Sequence, residues 1–187
     1  MITVLMATYQ GRQYLEQQLD TILAQTVPVK ILISDDGSDD GTREMLDNYA
    51  GWYPEQVVLH HRTEHTGGAA GNFFWLMQEA LKDEKNEYIL FSDQDDVWEN
   101  DKVSVMLHRM KVLEKGLGSA CPILLYSDME VVDEELYEIS PSFASYTHQD
   151  PDRSSFAELL VENQVTGGAS MINRALLMRC AKAPEVC

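Results

Sequence analysis

Residues 88–98 read Tyr-Ile-Leu-Phe-Ser-Asp-Gln-Asp-Asp-Val-Trp. A short apolar run suited to a buried strand ends in three aspartates within four positions, Asp93, Asp95 and Asp96. Like charges this close raise one another's cost of ionisation. A divalent cation reverses that cost. Mg²⁺ or Mn²⁺ takes one or two carboxylates together with phosphate oxygens and water. An Asp-x-Asp alone is a common accident in an acidic chain, but at the end of a buried strand it marks Asp95 and Asp93 as candidate metal ligands.

The neighbouring segments say what kind of sheet this strand joins. Val4 to Ala7 is a short apolar strand, and Tyr14 to Ala24 places Leu15, Leu19, Ile22 and Leu23 at helical spacing. Val29 to Ile33 is a second β-branched run, ending at Ser34-Asp35-Asp36-Gly37, and a helix with Met45, Leu46 and Tyr49 inward follows. Val57 to Leu59 is a third strand. A Gly-rich turn over Thr66 to Asn72 precedes a helix whose Phe73, Leu76, Met77, Ala80 and Leu81 form one apolar stripe. The opening stretch is then the fourth strand. Strands alternating with helices predict an α/β fold, with a mostly parallel central sheet covered by helices on both faces.

Past Trp98 the pattern loosens. Val103, Met106, Leu107, Met110 and Leu113 predict a helix, and Ile123 to Tyr126 a strand. Tyr137 to Arg153, with two prolines, reads as a surface loop. Ser154 or Ser155 caps a short helix through Leu160, and Gln164 to Ile172 reads as a strand with Gly167-Gly168 inside it.

Composition narrows the function. The 187 residues carry 31 acidic and 14 basic side chains, a formal net charge of −17, which disfavours nucleic acid or anionic lipid as partners held by bulk attraction. No apolar run approaches the ~18 residues of a membrane span and no signal peptide is visible, so a cytoplasmic product is expected. Cys121, Cys180 and Cys187 have neither zinc nor disulfide spacing.

Three apolar runs end in Ser-Asp, at Asp35, Asp93 and Asp128. Ligands of open α/β sheets bind outside the carboxyl ends of the strands, so these acids are candidate contacts. Asp39, Asp40 and Asp128 equally suit turn capping. Asp35 and Asp36 suit hydrogen bonds to a nucleoside. The run Asp36-x-Ser38-x-Asp40-Gly41 partly fits a calcium loop but fails on context, since a strand precedes it and Asp47 replaces the bidentate Glu. The glycine turn lacks both GxGxxG and GxxxxGK[ST], although its amides and the following helix N-terminus can approach an anion. His60, His61 and His65 cluster without a paired acid and read as surface residues.

These residues resemble the family 2 glycosyltransferases of the GT-A fold, in particular the bacterial rhamnosyltransferase-like branch. The matching segments are Val4 to Gly11, Ile33 to Ser38, Gly71-Asn72-Phe73, Ser92 to Trp98 with Lys102, and Thr166 to Ala169. The resemblance implies one GT-A domain over 1–187, with about 1–98 as the donor half and about 99–187 as part of the acceptor half. It implies metal-assisted, inverting transfer of a sugar, rhamnose among the candidates, from a dTDP- or UDP-sugar to a glycan or lipid-linked glycan in surface-polysaccharide synthesis. Ala7, Thr8 and Tyr9 would line the nucleoside pocket, and Asp35 would accept from the base beside Asp36. Asn72 and Gln94 would lie on the donor side, Asp93 at the ribose and Asp95 on the Mg²⁺ or Mn²⁺. The catalytic base is expected beyond Cys187, as is any peripheral attachment to the inner face of a membrane. A sugar-nucleotide pyrophosphorylase and a non-catalytic nucleotide- or calcium-binding module are the competing classes. The first would require a basic Gly-rich loop after the first strand, where only Arg12 stands.

Overall fold

A computed structural model describes residues 1–63, 67–150, 153, 155, 157, 163 and 165–181. The elements alternate as expected: β1 (Ile2–Thr8), α1 (Leu15–Leu23), β2 (Lys30–Asp35), α2 (Thr42–Trp52), β3 (Val57–His61), α3 (Ala69–Leu81), β4 (Tyr88–Ser92) and α4 (Lys102–Leu117). There follow β5 (Leu124–Tyr126), β6 (Val131–Val132), β7 (Glu138–Ser140), α5 (Phe143–Tyr146), a 3₁₀ turn (Gly167–Ala169), β8 (Ser170–Asn173) and α6 (Arg174–Cys180). The main sheet has the order β3-β2-β1-β4-β8-β5, and β6 pairs with β7 separately.

Strands β3, β2, β1 and β4 run parallel, and β8 enters antiparallel between β4 and β5. β1, β2 and most of β4 are buried on both faces, while the edge strand β3 is only partly covered. Val4, Met6, Ile31, Ile33 and Leu90 belong to the larger core, which also holds the buried residues of α1, α2 and α4. Leu5, Leu32, Ile89 and Ile172 face the smaller core with α3 and α6. Each such side chain contributes about 1.5–3 kcal/mol by leaving water. The result is a rigid platform whose β1, β2 and β4 ends share one edge.

The antiparallel insert is held by one polar hub. The buried Asn173 side chain accepts from the amides of Leu176 (3.1 Å) and Ile123 (3.0 Å), and donates to Glu114 (3.1 Å) and the Cys121 carbonyl (2.8 Å). One side chain thus caps α6 and joins β5 to α4.

The second half departs from the sequence reading in several places. The segment 137–153 is not simply a loop, since it contributes β7 and α5. The Gln164 to Ile172 strand is confined to Ser170–Asn173, because Gly167–Ala169 turn as a 3₁₀ helix. Helix α3 begins at Ala69, so Asn72 lies in its first turn and not in the preceding loop. The helix expected through Leu160 falls mainly outside the described residues, as do His65 and Cys187.

Candidate functional site

At the carboxyl edge of β1, β2 and β4 lies a cavity of about 670 Å³. Ala7 and Tyr9 come from the end of β1, Asp36 from the end of β2, Gly67 to Ala69, Asn72 and Phe73 from the start of α3, and Asp93, Gln94 and Asp95 from the end of β4. Seven of the predicted residues therefore meet in one place: Ala7, Tyr9, Asp36, Asn72, Asp93, Gln94 and Asp95. Among the described residues its lining carries three carboxylates and no Lys or Arg.

Thr8 and Asp35 stand behind that wall. Asp35 is completely buried, and its carboxylate is filled by protein donors: the Thr8 hydroxyl (3.2 Å), the Ser38 hydroxyl (2.5 Å), the amides of Gly37 (3.2 Å) and Ser38 (3.1 Å), and the Arg43 guanidinium (2.8 Å). Burial opposes ionisation, but these hydrogen bonds outweigh it and hold Asp35 below the usual carboxylate range. Thr8 and Asp35 are not among the residues that line the cavity; both brace the β2 turn that presents Asp36.

The acids after β4 have the opposite surroundings. Burial and then repulsion from Asp95 push the Asp93 carboxyl up, against the pull of Lys102. Asp96 is pushed up by burial and by Asp93, again opposed by Lys102. Burial lowers Lys102 itself to about 8, although both aspartates favour its charge. Its Nζ donates to the Gly168 carbonyl (2.8 Å) and stands 4.0 Å from the ring centroid of the buried Trp98. A Cβ built on Gly168 would stand 2.6 Å from Asp96 Oδ2 and 3.0 Å from Asp93 Oδ2, so only glycine lets this turn touch the acids. Lys102 and Gly168 lie within segments read as motifs, but their approach across 66 residues is invisible in the sequence.

Gln94 lines the cavity and also builds it. Its Oε1 accepts from the Tyr9 amide (2.9 Å) and its Nε2 donates to the Tyr9 carbonyl (3.0 Å), extending the β1–β4 ladder with a side chain. The same amide presses on Gly11, where a Cβ would stand 2.4 Å from Oε1. Asn72 is buried; its Nδ2 donates to the Ser34 carbonyl (2.9 Å), while its Oδ1 has no hydrogen-bond partner. An orphaned buried acceptor in a cavity wall is a costly feature that a ligand donor would relieve. Gly67 and Gly68 turn into α3 with φ of 85° and 126°, so that the start of the helix lines the cavity.

The remaining candidates have structural work. Asp40 accepts from the Thr42 hydroxyl and amide and from the Arg12 amide, and Asp39 from Gln10, so the calcium-loop pattern is a pair of braced turns. Asp128 caps through the amides of Met129 and Ala144. His61 does have an acid partner, Asp47, at 2.9 Å, and His60 packs on Trp75, so these histidines are less isolated than their sequence suggests. Cys121 and Cys180 are free thiols. No helix among the described residues is long and apolar enough to cross a membrane.

Among the described residues no three His, Cys, Asp or Glu side chains form a metal site by themselves. Asp93 and Asp95 nevertheless fit Mg²⁺ or Mn²⁺, because they are hard oxygen donors in one cavity whose mutual repulsion raises Asp93. Two carboxylates leave the other coordination positions to phosphate oxygens and water.

The chain is similar to known proteins in sequence and in fold. Over 99 residues the chain is 39% identical to the dTDP-rhamnosyl transferase RfbG of Shigella flexneri, covering 52% of this chain and 34% of that protein. It is 31% identical over 177 residues to a Bacillus subtilis protein named for teichuronic acid biosynthesis, the glycosyltransferase TuaG, covering 92% of this chain and 66% of the relative. The chain thus spans between a third and two thirds of these relatives. Residues 1–349 of Staphylococcus aureus TarS superpose over 95% of this chain and 48% of theirs, with a TM-score of 0.59 at 18% identity, which shows the common fold. The family model described as Glycosyl transferase family 2 matches residues 3–179, and the chain belongs to that family.

Proposed function

We propose that the cavity binds a nucleotide-diphospho-sugar together with Mg²⁺ or Mn²⁺, and that the whole protein transfers the sugar to a glycan or lipid-linked glycan hydroxyl in bacterial surface-polysaccharide synthesis. The observation that carries this reading is the lining itself. A cavity walled by Asp36, Asp93 and Asp95, with no Lys or Arg among the described lining residues, repels a diphosphate unless a cation comes with it. The named relatives act in the same chemistry, RfbG as a dTDP-rhamnosyl transferase, and TarS, which shares the fold, has been crystallised with UDP and UDP-GlcNAc. A dTDP-sugar, with rhamnose first, or a UDP-sugar is the proposed donor.

Residue roles follow from position. Asp36, not Asp35, accepts from the N–H of a pyrimidine base, with Tyr9 at the rim offering an aromatic face. Asp93 holds the ribose and Asp95 is the principal metal ligand. Gln94 fixes the Tyr9 wall, and the first turn of α3 faces the diphosphate with its amides. The cation supplies charge neutralisation on the departing diphosphate. Residues up to about 98 form the donor half and the rest contribute to the acceptor half. Inversion requires a base on the acceptor hydroxyl.

Titration calorimetry with dTDP and UDP, with Mn²⁺ or with EDTA, tests the proposal. Wild type binds a nucleoside diphosphate in Mn²⁺, and EDTA or Asp95→Ala weakens that binding by about a hundredfold, the scale of losing a charged partner. Binding indifferent to metal and to Asp95 would refute it.

A further inference from the structure

We propose that Lys102 is a positioning residue that pins the Gly167–Ala169 turn to the carboxylates of Asp93 and Asp96 and so fixes the floor under the donor's diphosphate. The last part rests on the nucleotide-sugar reading of the cavity. Pairing between β4 and β8 ends at Leu90↔Met171. The main chains of Ser92–Asp96 and of the turn therefore face each other past the end of their ladder. Side chains and β5 take over there: the Gly167 carbonyl accepts from the Ser170 hydroxyl (2.8 Å), the Gly168 carbonyl from Lys102 Nζ (2.8 Å), and the Ala169 carbonyl from the Ser127 amide (3.0 Å).

Of these three, Lys102 alone also attracts the acids on the other side of the gap, Asp93 and Asp96. Gly168 permits contact without a Cβ, and Lys102 supplies the force that closes it. The lysine stem opens α4, and the ammonium rests over the buried Trp98 ring, which favours a cation on that face. A neutral residue there leaves two half-buried carboxylates facing a turn that only their repulsion and the remaining hydrogen bonds would place.

Two measurements on the 187-residue chain decide this. In the free protein, Lys102→Met speeds amide exchange of the peptide spanning 166–170 by about tenfold, since local opening no longer breaks a charged hydrogen bond. In calorimetry the same variant loses about tenfold in Mn²⁺-dependent dTDP affinity and nothing in metal-free affinity, a split that general loosening would not give. Lys102→Arg recovers most of both. Gly168→Ala repeats the losses, and the double variant is no worse than either single one, as coupled positions require. If Lys102→Met does not fold, Lys102→Gln replaces it. Unchanged exchange, or equal losses with and without Mn²⁺, overturns the proposal. Failure of the wild type to bind Mn²⁺ and dTDP would instead overturn the nucleotide reading, while the exchange result still judges the pinning.

Discussion

Two aspartate groups lie on either side of β1, at the same sheet edge, and the protein treats them oppositely. Asp35 takes five hydrogen bonds, from Thr8, Gly37, Arg43 and twice from Ser38. The carboxylates of Asp93, Asp95 and Asp96 take none from the described residues, and Lys102 balances them by proximity. A carboxylate saturated by protein donors is part of the scaffold. One that is repelled and short of donors is suited to a ligand, and the contrast marks the candidate site more sharply than the acids themselves do.

Replacing Asp35 should break the scaffold side. Asp35→Asn loses the charge that five donors surround and is expected to destabilise the fold by about 3 kcal/mol, measured by urea denaturation. For a chain of this size that corresponds to a fall in Tm of roughly 6–12 °C. The pH dependence has a defined sign. Because the folded-state pKa of Asp35 is depressed, its contribution is fully present above the unfolded value near ~4 and is lost as pH falls through the folded value. The variant should therefore show a flatter loss of stability in acid. A mild effect at neutral pH would mean that the two groups differ less than their geometry indicates.

Gly11 tests the bridge between the two regions. A methyl at Gly11 meets the end of the Gln94 side chain, which can swing away, but only by releasing both hydrogen bonds to Tyr9. Gly11→Ala is expected to cost about 1–2 kcal/mol in thermal unfolding, the worth of two partly exposed hydrogen bonds. It should also weaken nucleotide binding by about tenfold through the displaced Tyr9 wall. Loss of stability without loss of binding would remove Gln94 from the site.

How much of this was legible follows the same division. The four parallel strands were readable because each holds a short apolar run between turn or helix signals, and α1 to α4 because their stripes are long. The hairpin β6–β7 was not, since a two-residue strand and a three-residue partner carry no periodicity and Pro141 follows at once. The 3₁₀ turn at 167–169 was hidden inside a small-residue run that looked continuous with β8. At the site, Ser-Asp endings marked Asp35 and Asp93 alike. What separates them is the donor set, and Thr8 and Lys102 reach it only through folding, one across the sheet from β1 and the other from the far side of the Trp98 loop.

Asp93 gives the smallest effect on stability and the one whose sign is most informative. Its folded-state pKa is raised, so ionised Asp93 costs the folded protein stability at neutral pH, and that cost disappears as pH falls below the unfolded value near ~4. Asp93→Asn keeps the shape and removes the charge. It should therefore leave the protein more stable at pH 7, and a gain of about 1 kcal/mol would appear as a rise in Tm of ~2–4 °C. The gain should vanish in acid, where the wild-type carboxyl is already neutral. Mn²⁺-dependent nucleotide binding should fall in the same variant, since the proposed ribose and metal contacts go with the charge. Scaffold acids cannot behave this way: removing Asp35 lowers stability, and removing Asp93 raises it while disabling the site. If Asp93→Asn destabilised the fold at neutral pH, the carboxylate would have to be satisfied in the free protein, and the contrast between the two edges of β1 would no longer separate scaffold from site.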